Sequence, residues 1–182
     1  KLRGLDFAGK KVVALTAHRR ENQSGGIEHI CRAVLELTER HPELQFVYPV
    51  HLSPAVRNVV FPLLDGKAGI TLTDPVDVAD MHNLIAKSFF IMTDSGGIQE
   101  EAPSFHKPVL VLRTETERPE AVAAGTVKVI GTDTERIVDE AERLISDKSE
   151  YDRMAAAVNP YGDGHASERI VDAIRGYFAG NK

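Results

Sequence analysis

Short runs of uninterrupted apolar residues recur along this chain, and each is followed by a stretch with helical spacing. Residues 11–16 (KVVALT) form the first run, and residues 27–40 carry Ile27, Ile30, Val34 and Leu37 at helical intervals. The alternation continues with a strand at 44–50, a helix at 55–64 and a strand at 70–72. A helix at about 76–87 then opens with Asp74-Pro75, before a strand at 89–92. Beyond it lie a helix at 97–104, a strand at 108–112, a short helix at 119–124 and a strand at 127–130. Helices at 133–146, 150–157 and 167–179 complete the chain, the last after the turn-rich Asn159-Pro160-Tyr161-Gly162-Asp163-Gly164. Strands that are apolar throughout must be covered on both faces, so the pattern predicts α/β architecture: a doubly wound parallel sheet, Rossmann-like.

The chain has 182 residues, enough for one packed domain, and no composition break marks a second. Its 22 basic and 27 acidic residues give a net charge of −5, which argues against a nucleic-acid surface, so any anion site must be local. No apolar stretch has membrane-spanning length and no signal sequence is visible, although a chain beginning at Lys1 rather than methionine points to lost upstream residues. A single cysteine, Cys31, sits among Ile30, Ala33 and Val34 and reads as a packing residue of a cytoplasmic protein.

The segment Thr93-Asp94-Ser95-Gly96-Gly97-Ile98-Gln99-Glu100-Glu101 turns a strand directly into a helix. Two glycines clear the backbone for a ligand, and the first-turn amides with the positive end of the helix dipole suit a phosphate. Glutamates aimed at a diphosphate would repel it, so at least one should accept hydrogen bonds from neutral donors such as ribose hydroxyls. An ordinary helix capped by Asp94 or Ser95 would have the same pattern. In a sheet of order 3-2-1-4-5-6 the first and fourth strands are neighbours, and ligands bind beyond their carboxyl ends. That order sets His18, Arg19 and Arg20 opposite the glycine turn, where cations offset diphosphate charge. Arg118, before Pro119, is a second phosphate clamp or a solvated charge beside glutamates, and His51, ending the second strand, lines the same crevice or is structural. The remaining histidines show no metal-ligand spacing, so no metal is assigned. Neither G-x-G-x-x-G, G-x-x-x-x-G-K-[ST] nor G-x-S-x-G occurs, which disfavours a dehydrogenase, a P-loop NTPase and an esterase. A nucleoside diphosphate on a Ser-Gly-Gly helix start remains, as in sugar-nucleotide chemistry.

The blocks AHRREN, YPVHLSP, TDSGGIQEEAP, KPVLVLR, TERPEAVAAGT and NPYGDGHASERI resemble the non-hydrolysing UDP-N-acetylglucosamine 2-epimerases of bacteria, from Lys11 to about Phe178. The resemblance implies two Rossmann-like domains of the glycosyltransferase-B type, with residues 1–182 forming the second and the N-terminal domain absent. It further implies interconversion of UDP-N-acetylglucosamine and UDP-N-acetylmannosamine by elimination and re-addition of UDP through a glycal, without a cofactor. The setting it suggests is cell-envelope polysaccharide synthesis, with a homodimer as the full-length enzyme and no nucleic-acid or membrane partner. It places the essential histidine at His18, and the UDP contacts at Ser95, Gly96, Gly97, Glu101 (ribose), Arg118 and Met81 (near the uracil). Arg19 and His51 fall in an activating site for a second UDP-N-acetylglucosamine, while the acid/base carboxylates belong to the absent domain. Met81, Ser53 and His165 depart from the commoner phenylalanine, asparagine and lysine. A UDP-sugar glycosyltransferase donor domain, a stand-alone UDP-binding module and a hydrolysing epimerase are the competing expectations.

Overall fold

The structure is a computed structural model and describes residues 2, 5 and 7–180. These residues build a six-stranded sheet from β1 (Lys11–Thr16), β2 (Leu44–Pro49), β3 (Ile70–Thr73), β4 (Phe90–Thr93), β5 (Val109–Val111) and β6 (Val127–Val129). Every pairing is parallel and the spatial order is β3-β2-β1-β4-β5-β6, the predicted doubly wound order. Side chains alternate between the two faces because successive Cβ atoms of a strand point oppositely. Val13, Leu15, Phe46, Tyr48, Phe90 and Met92 enter one buried cluster, whereas Val12, Ala14, Val47, Ile91, Val109 and Val111 enter the other.

Helices close both faces. The first cluster is covered by α1 (Gly26–Arg40), α2 (Pro54–Leu64) and α6 (Thr134–Ser146), and α7 (Lys148–Ala155) adds Met154. Ile27, Ile30, Val34 and Leu37 of α1 are buried at the predicted spacing, each contributing about 1.5–3 kcal/mol of apolar burial. The second cluster is covered by α3 (Val78–Lys87), α4 (Gly96–Glu101) with the 3-10 turn Ala102–Phe105, and α5 (Pro119–Ala124). Pro119 opens α5, as expected of a residue without an N–H, and Gly125 ends it at φ 80°. Cys31 is a buried packing residue, its thiol pushed up to about 12 by burial and then by the charge of Glu28.

Several predicted boundaries move by one to three residues, two of them because of a capping side chain. Asp74-Pro75 does not open α3; the cap is Asp77, whose carboxylate accepts from the Asp80 amide at 2.8 Å and so ends the loop three residues later. Helix α7 starts at Lys148 rather than 150, because Asp147 caps it by accepting from the amides of Ser149 and Glu150. The last helix, α8 (Ala166–Gly180), carries Ile170, Val171, Ile174, Tyr177 and Phe178, all exposed. No helix among the described residues is long and apolar enough to cross a membrane.

Candidate functional site

The parallel register aligns Thr16 with Thr93, so β1 and β4 end side by side and release their loops into the same crevice. The two threonine hydroxyls meet at 2.6 Å in the buried interior, and Thr93 Oγ1 also accepts from the Ser95 amide at 2.9 Å. That bond fixes the start of α4 relative to the strand. Ser95 is the N-cap residue, but its hydroxyl makes no capping bond, and the helical ladder begins only with the Gln99 amide on the Ser95 carbonyl at 3.3 Å. Among the described residues the amides of Gly96, Gly97 and Ile98 are thus left without partners, as the first turn of a helix requires. Three donors at the positive end of α4 face the crevice.

Of the cations expected at this turn, Arg19 and Arg118 reach it, whereas Arg20 is exposed on the 3-10 turn Arg20–Asn22. A Cβ built on Gly96 would stand 3.5 Å from Arg19 Nη2 and 3.7 Å from Arg118 Nη2, so both guanidiniums converge over this glycine. Gly97 is different: its nearest neighbours would be Glu101 Oε1 at 3.8 Å and Ser95 Oγ at 3.9 Å. The tightest approach between α4 and the cations therefore lies at Gly96. Arg19 is tethered by its Nε donating to the Asp94 carbonyl at 3.2 Å, and Arg118 by its Nε donating to the Glu100 carboxylate. The bond to Glu100 raises the Arg118 guanidinium above its ordinary pKa, so it stays charged at any working pH. Arg118 is thus paired with Glu100 and also overhangs the helix start.

The loop bearing Arg118 is held from beneath by Arg113, which is nearly buried and donates to Glu21 at 2.6 Å and to Glu117. Burial pushes the Arg113 guanidinium down, but these two bonds outweigh it and leave the pKa raised. A backbone hydrogen bond and then the bond from Arg113 hold the Glu117 carboxyl below the usual range. Buried Gln99 supplies a second tie, accepting from Thr116 Oγ1 at 2.6 Å. The loop after β5 is therefore locked to the loop after β1 and to α4.

His18 and His51 lie side by side, their ring centroids 5.4 Å apart and tilted by 35°. The two residues expected to serve separate sites thus share one wall of the crevice. His51 Nδ1 accepts from the Ser53 amide at 3.1 Å, which leaves Nε2 as its donor. Glu101 is exposed, with Oε2 lying 3.2 Å from His82 Nε2 and its other oxygen folded back over Gly97. Met81 is half-buried against the core of that face, next in the chain to His82, which meets Glu101. Among the described residues no cluster of three or more His, Cys, Asp or Glu side chains could hold a metal ion.

Sequence reasoning missed the residue at the centre of this assembly. Asp94, weighed only as a cap, is fully buried, and its Oδ2 accepts from the His18 amide (2.7 Å), the Arg19 amide (2.7 Å) and Asn22 Nδ2 (3.0 Å). Asn22 donates onward to the Leu112 carbonyl at 3.1 Å, so one carboxylate and one amide pin the ends of β1, β4 and β5 together. The signal was an acidic residue directly after an apolar strand and next to a phosphate-type turn, a place where a free carboxylate would be unfavourable.

Known proteins share this fold and sequence. A relative from Clostridium acetobutylicum is 55% identical over 177 residues, 97% of this chain but 46% of its own length. The S. aureus MnaA–UDP co-structure superposes with a TM-score of 0.90 at 53% identity, covering 95% of this chain and 47% of that one. UDP-GlcNAc 2-epimerase from Neisseria meningitidis, bound to UDP-GlcNAc, gives 0.87 at 48% identity, covering 91% and 44%. A glycosyl transferase group 1 C-terminal domain from Francisella tularensis shares the fold alone, at 17% identity and a TM-score of 0.64. The chain spans about half the length of the curated relatives it matches. The sequence profile of UDP-N-acetylglucosamine 2-epimerase matches residues 2–175, and the chain belongs to that family.

Proposed function

We propose that this chain is the UDP-binding, C-terminal domain of a two-domain, non-hydrolysing UDP-N-acetylglucosamine 2-epimerase. The observation that carries the reading is the convergence of Arg19 and Arg118 on Gly96, above three unpartnered amides. Two fixed positive charges and a helix start answer the charge of a nucleoside diphosphate, and planar guanidiniums bind phosphate oxygens in pairs. Glu101, exposed beside this turn, would accept from ribose hydroxyls, and Met81 would border the base. His18 would face the diphosphate and His51 a second sugar nucleotide, with Arg19, which overhangs Gly96, shared between the two.

In this scheme the anomeric C–O bond breaks with its electron pair leaving on UDP, while a base removes the proton from C2. The resulting glycal is attacked again by UDP as a proton returns to C2 from the opposite face. The diphosphate site stabilises the departing charge and keeps the leaving group in place for its return. The carboxylates that would move the C2 proton belong to the other half of the protein. The exposed apolar stripe of α8 supports a larger assembly: an isolated helix of 15 residues is marginal in water, and such a stripe favours a packing partner. A homodimer of the full-length protein and a cytoplasmic setting, in keeping with the single reduced Cys31, complete the reading.

The test is calorimetric titration of this chain with UDP, followed by an epimerisation assay. The expected result is saturable UDP binding, abolished in a folded Gly96→Val variant whose side chain would stand between the two guanidiniums, and no turnover of UDP-N-acetylglucosamine. A folded chain that binds no UDP, or a purified chain that epimerises, overturns the proposal.

A further inference from the structure

We propose that Asp94 is the positioning residue of His18, one carboxylate with two separate tasks. Its Oδ2 is saturated by three donors, the amides of His18 and Arg19 and the side chain of Asn22. Its Oδ1 is buried and has no hydrogen-bond partner among the described residues. A buried carboxylate oxygen left unsatisfied is costly, and such groups are rarely left so without a reason. The polar atom facing it is His18 Nε2, 3.9 Å away. That separation is too long for a hydrogen bond, but a small rotation of the ring closes it, and site hydrogen bonds commonly tighten when a ligand is bound.

The geometry sets the chemistry of the ring. With Nε2–H directed at Asp94 Oδ1, the neutral imidazole leaves the Nδ1 lone pair toward the crevice, so Nδ1 is the nitrogen that exchanges a proton with a ligand. A purely structural Asp94 would need only Oδ2. Replacement by asparagine separates the two tasks. Three donors converge on the Oδ2 position, so the amide must place its oxygen there, and its NH₂ then occupies the Oδ1 position. A donor would face Nε2 where an acceptor stood. The ring must answer by accepting at Nε2, which moves its proton to Nδ1. An aspartate-to-asparagine change behind a catalytic histidine acts through the wrong tautomer in the same way in serine proteases.

This inference rests on the functional reading for its purpose but not for its test. Histidine-selective ¹⁵N labelling of this chain, observed at about pH 8.5 where an ordinary imidazole is neutral, reads the tautomer of His18 directly. The wild type should show an Nε2–H form with its ring proton in slow exchange with water. In Asp94→Asn the His18 signals should reverse to the Nδ1–H form. In Asn22→Ala, which removes one Oδ2 partner and leaves Oδ1 alone, the wild-type tautomer should persist at lower thermal stability. An Asp94→Asn spectrum with the wild-type tautomer, or an Asn22→Ala spectrum with the reversed one, refutes the assignment. Should Asp94→Asn fail to fold, a wild-type Nε2–H in fast exchange would refute it alone. Adding UDP to the wild type separates the two claims: no shift of the His18 ring signals counts against the nucleotide site, while the tautomer still decides the role of Asp94.

Discussion

Replacing Gly96 by alanine should strengthen the fold and weaken the ligand, two effects of opposite sign from one methyl group. The backbone at Gly96 lies outside the left-handed region, and the nearest atoms to a built Cβ are Arg19 Nη2 at 3.5 Å and Arg118 Nη2 at 3.7 Å. Both distances are ordinary contact, and both atoms are ends of flexible side chains, so the protein admits the methyl. Alanine also restricts the unfolded chain more than glycine, a gain of about 0.4–1 kcal/mol where the native conformation suits it. For a chain of this size that is roughly 1–4 °C in melting temperature. A phosphate oxygen held between the two guanidiniums and the first-turn amides would meet the methyl directly. Losing one charge-assisted hydrogen bond costs about 1.5–3 kcal/mol, or about 10- to 150-fold in affinity. Differential scanning fluorimetry and UDP titration of wild type and Gly96→Ala read the two quantities. Unchanged UDP affinity in a stabilised variant would place the phosphate elsewhere, and a lowered melting temperature would show that the glycine serves the fold.

The two neighbouring histidines should separate in a full-length protein carrying these residues: His18→Ala should lower kcat by about 100-fold or more at saturating substrate, the scale of a lost proton-transfer group. His51→Ala should instead alter the response to a second UDP-N-acetylglucosamine, and indistinguishable saturation curves for the two variants would refute the division. The carboxyls of Glu117, Glu142 and Glu150 are held below the usual 4.5, Glu117 by a backbone bond and then Arg113, Glu142 by Arg40 and Glu150 by Arg153. Their folded values are depressed, so the unfolded chain binds more protons in that range; the stability they contribute is present above 4.5 and is lost as pH falls through the folded values. Melting temperatures between about pH 6 and pH 3 should therefore drop toward acid, and Glu142→Gln should remove part of that slope. Buried Cys31, its thiol pushed up to about 12, should resist iodoacetamide in the native state and react only on unfolding, so rapid labelling in native buffer would contradict its burial.

The fold was legible because its signals are local and redundant. Apolar runs such as KVVALT and PVLVL bury both faces of their strands, and the helical spacing of Ile27, Ile30, Val34 and Leu37 marks the one face that α1 must hide. Where a local signal was ambiguous the boundary moved, as at Asp74-Pro75, because a side chain three residues later made the better cap. The motifs also placed His18, Arg19, Ser95, Gly96 and Arg118 at one end of the sheet, since in a doubly wound order the loops after the first and fourth strands must be neighbours.

Distances and partners were another matter. That Arg19 and Arg118 both reach Gly96 rather than Gly97 depends on side-chain rotamers set by Asp94 and Glu100, residues far from them in sequence. Arg113 reads as one more charge in a charged loop; only packing shows it nearly buried between Glu21 and Glu117, 92 and 4 residues away along the chain. Asp94 reads as a cap, and only the convergence of the loops after β1 and β4 turns it into a buried carboxylate with one oxygen shared among three donors and the other facing His18. Periodicity and composition act through neighbours on the chain, so the sequence by itself determined the elements, their order in the sheet and the end at which a ligand could bind. Which atoms meet there is decided by contacts between residues dozens of positions apart, and these exist only once the sheet has brought them together.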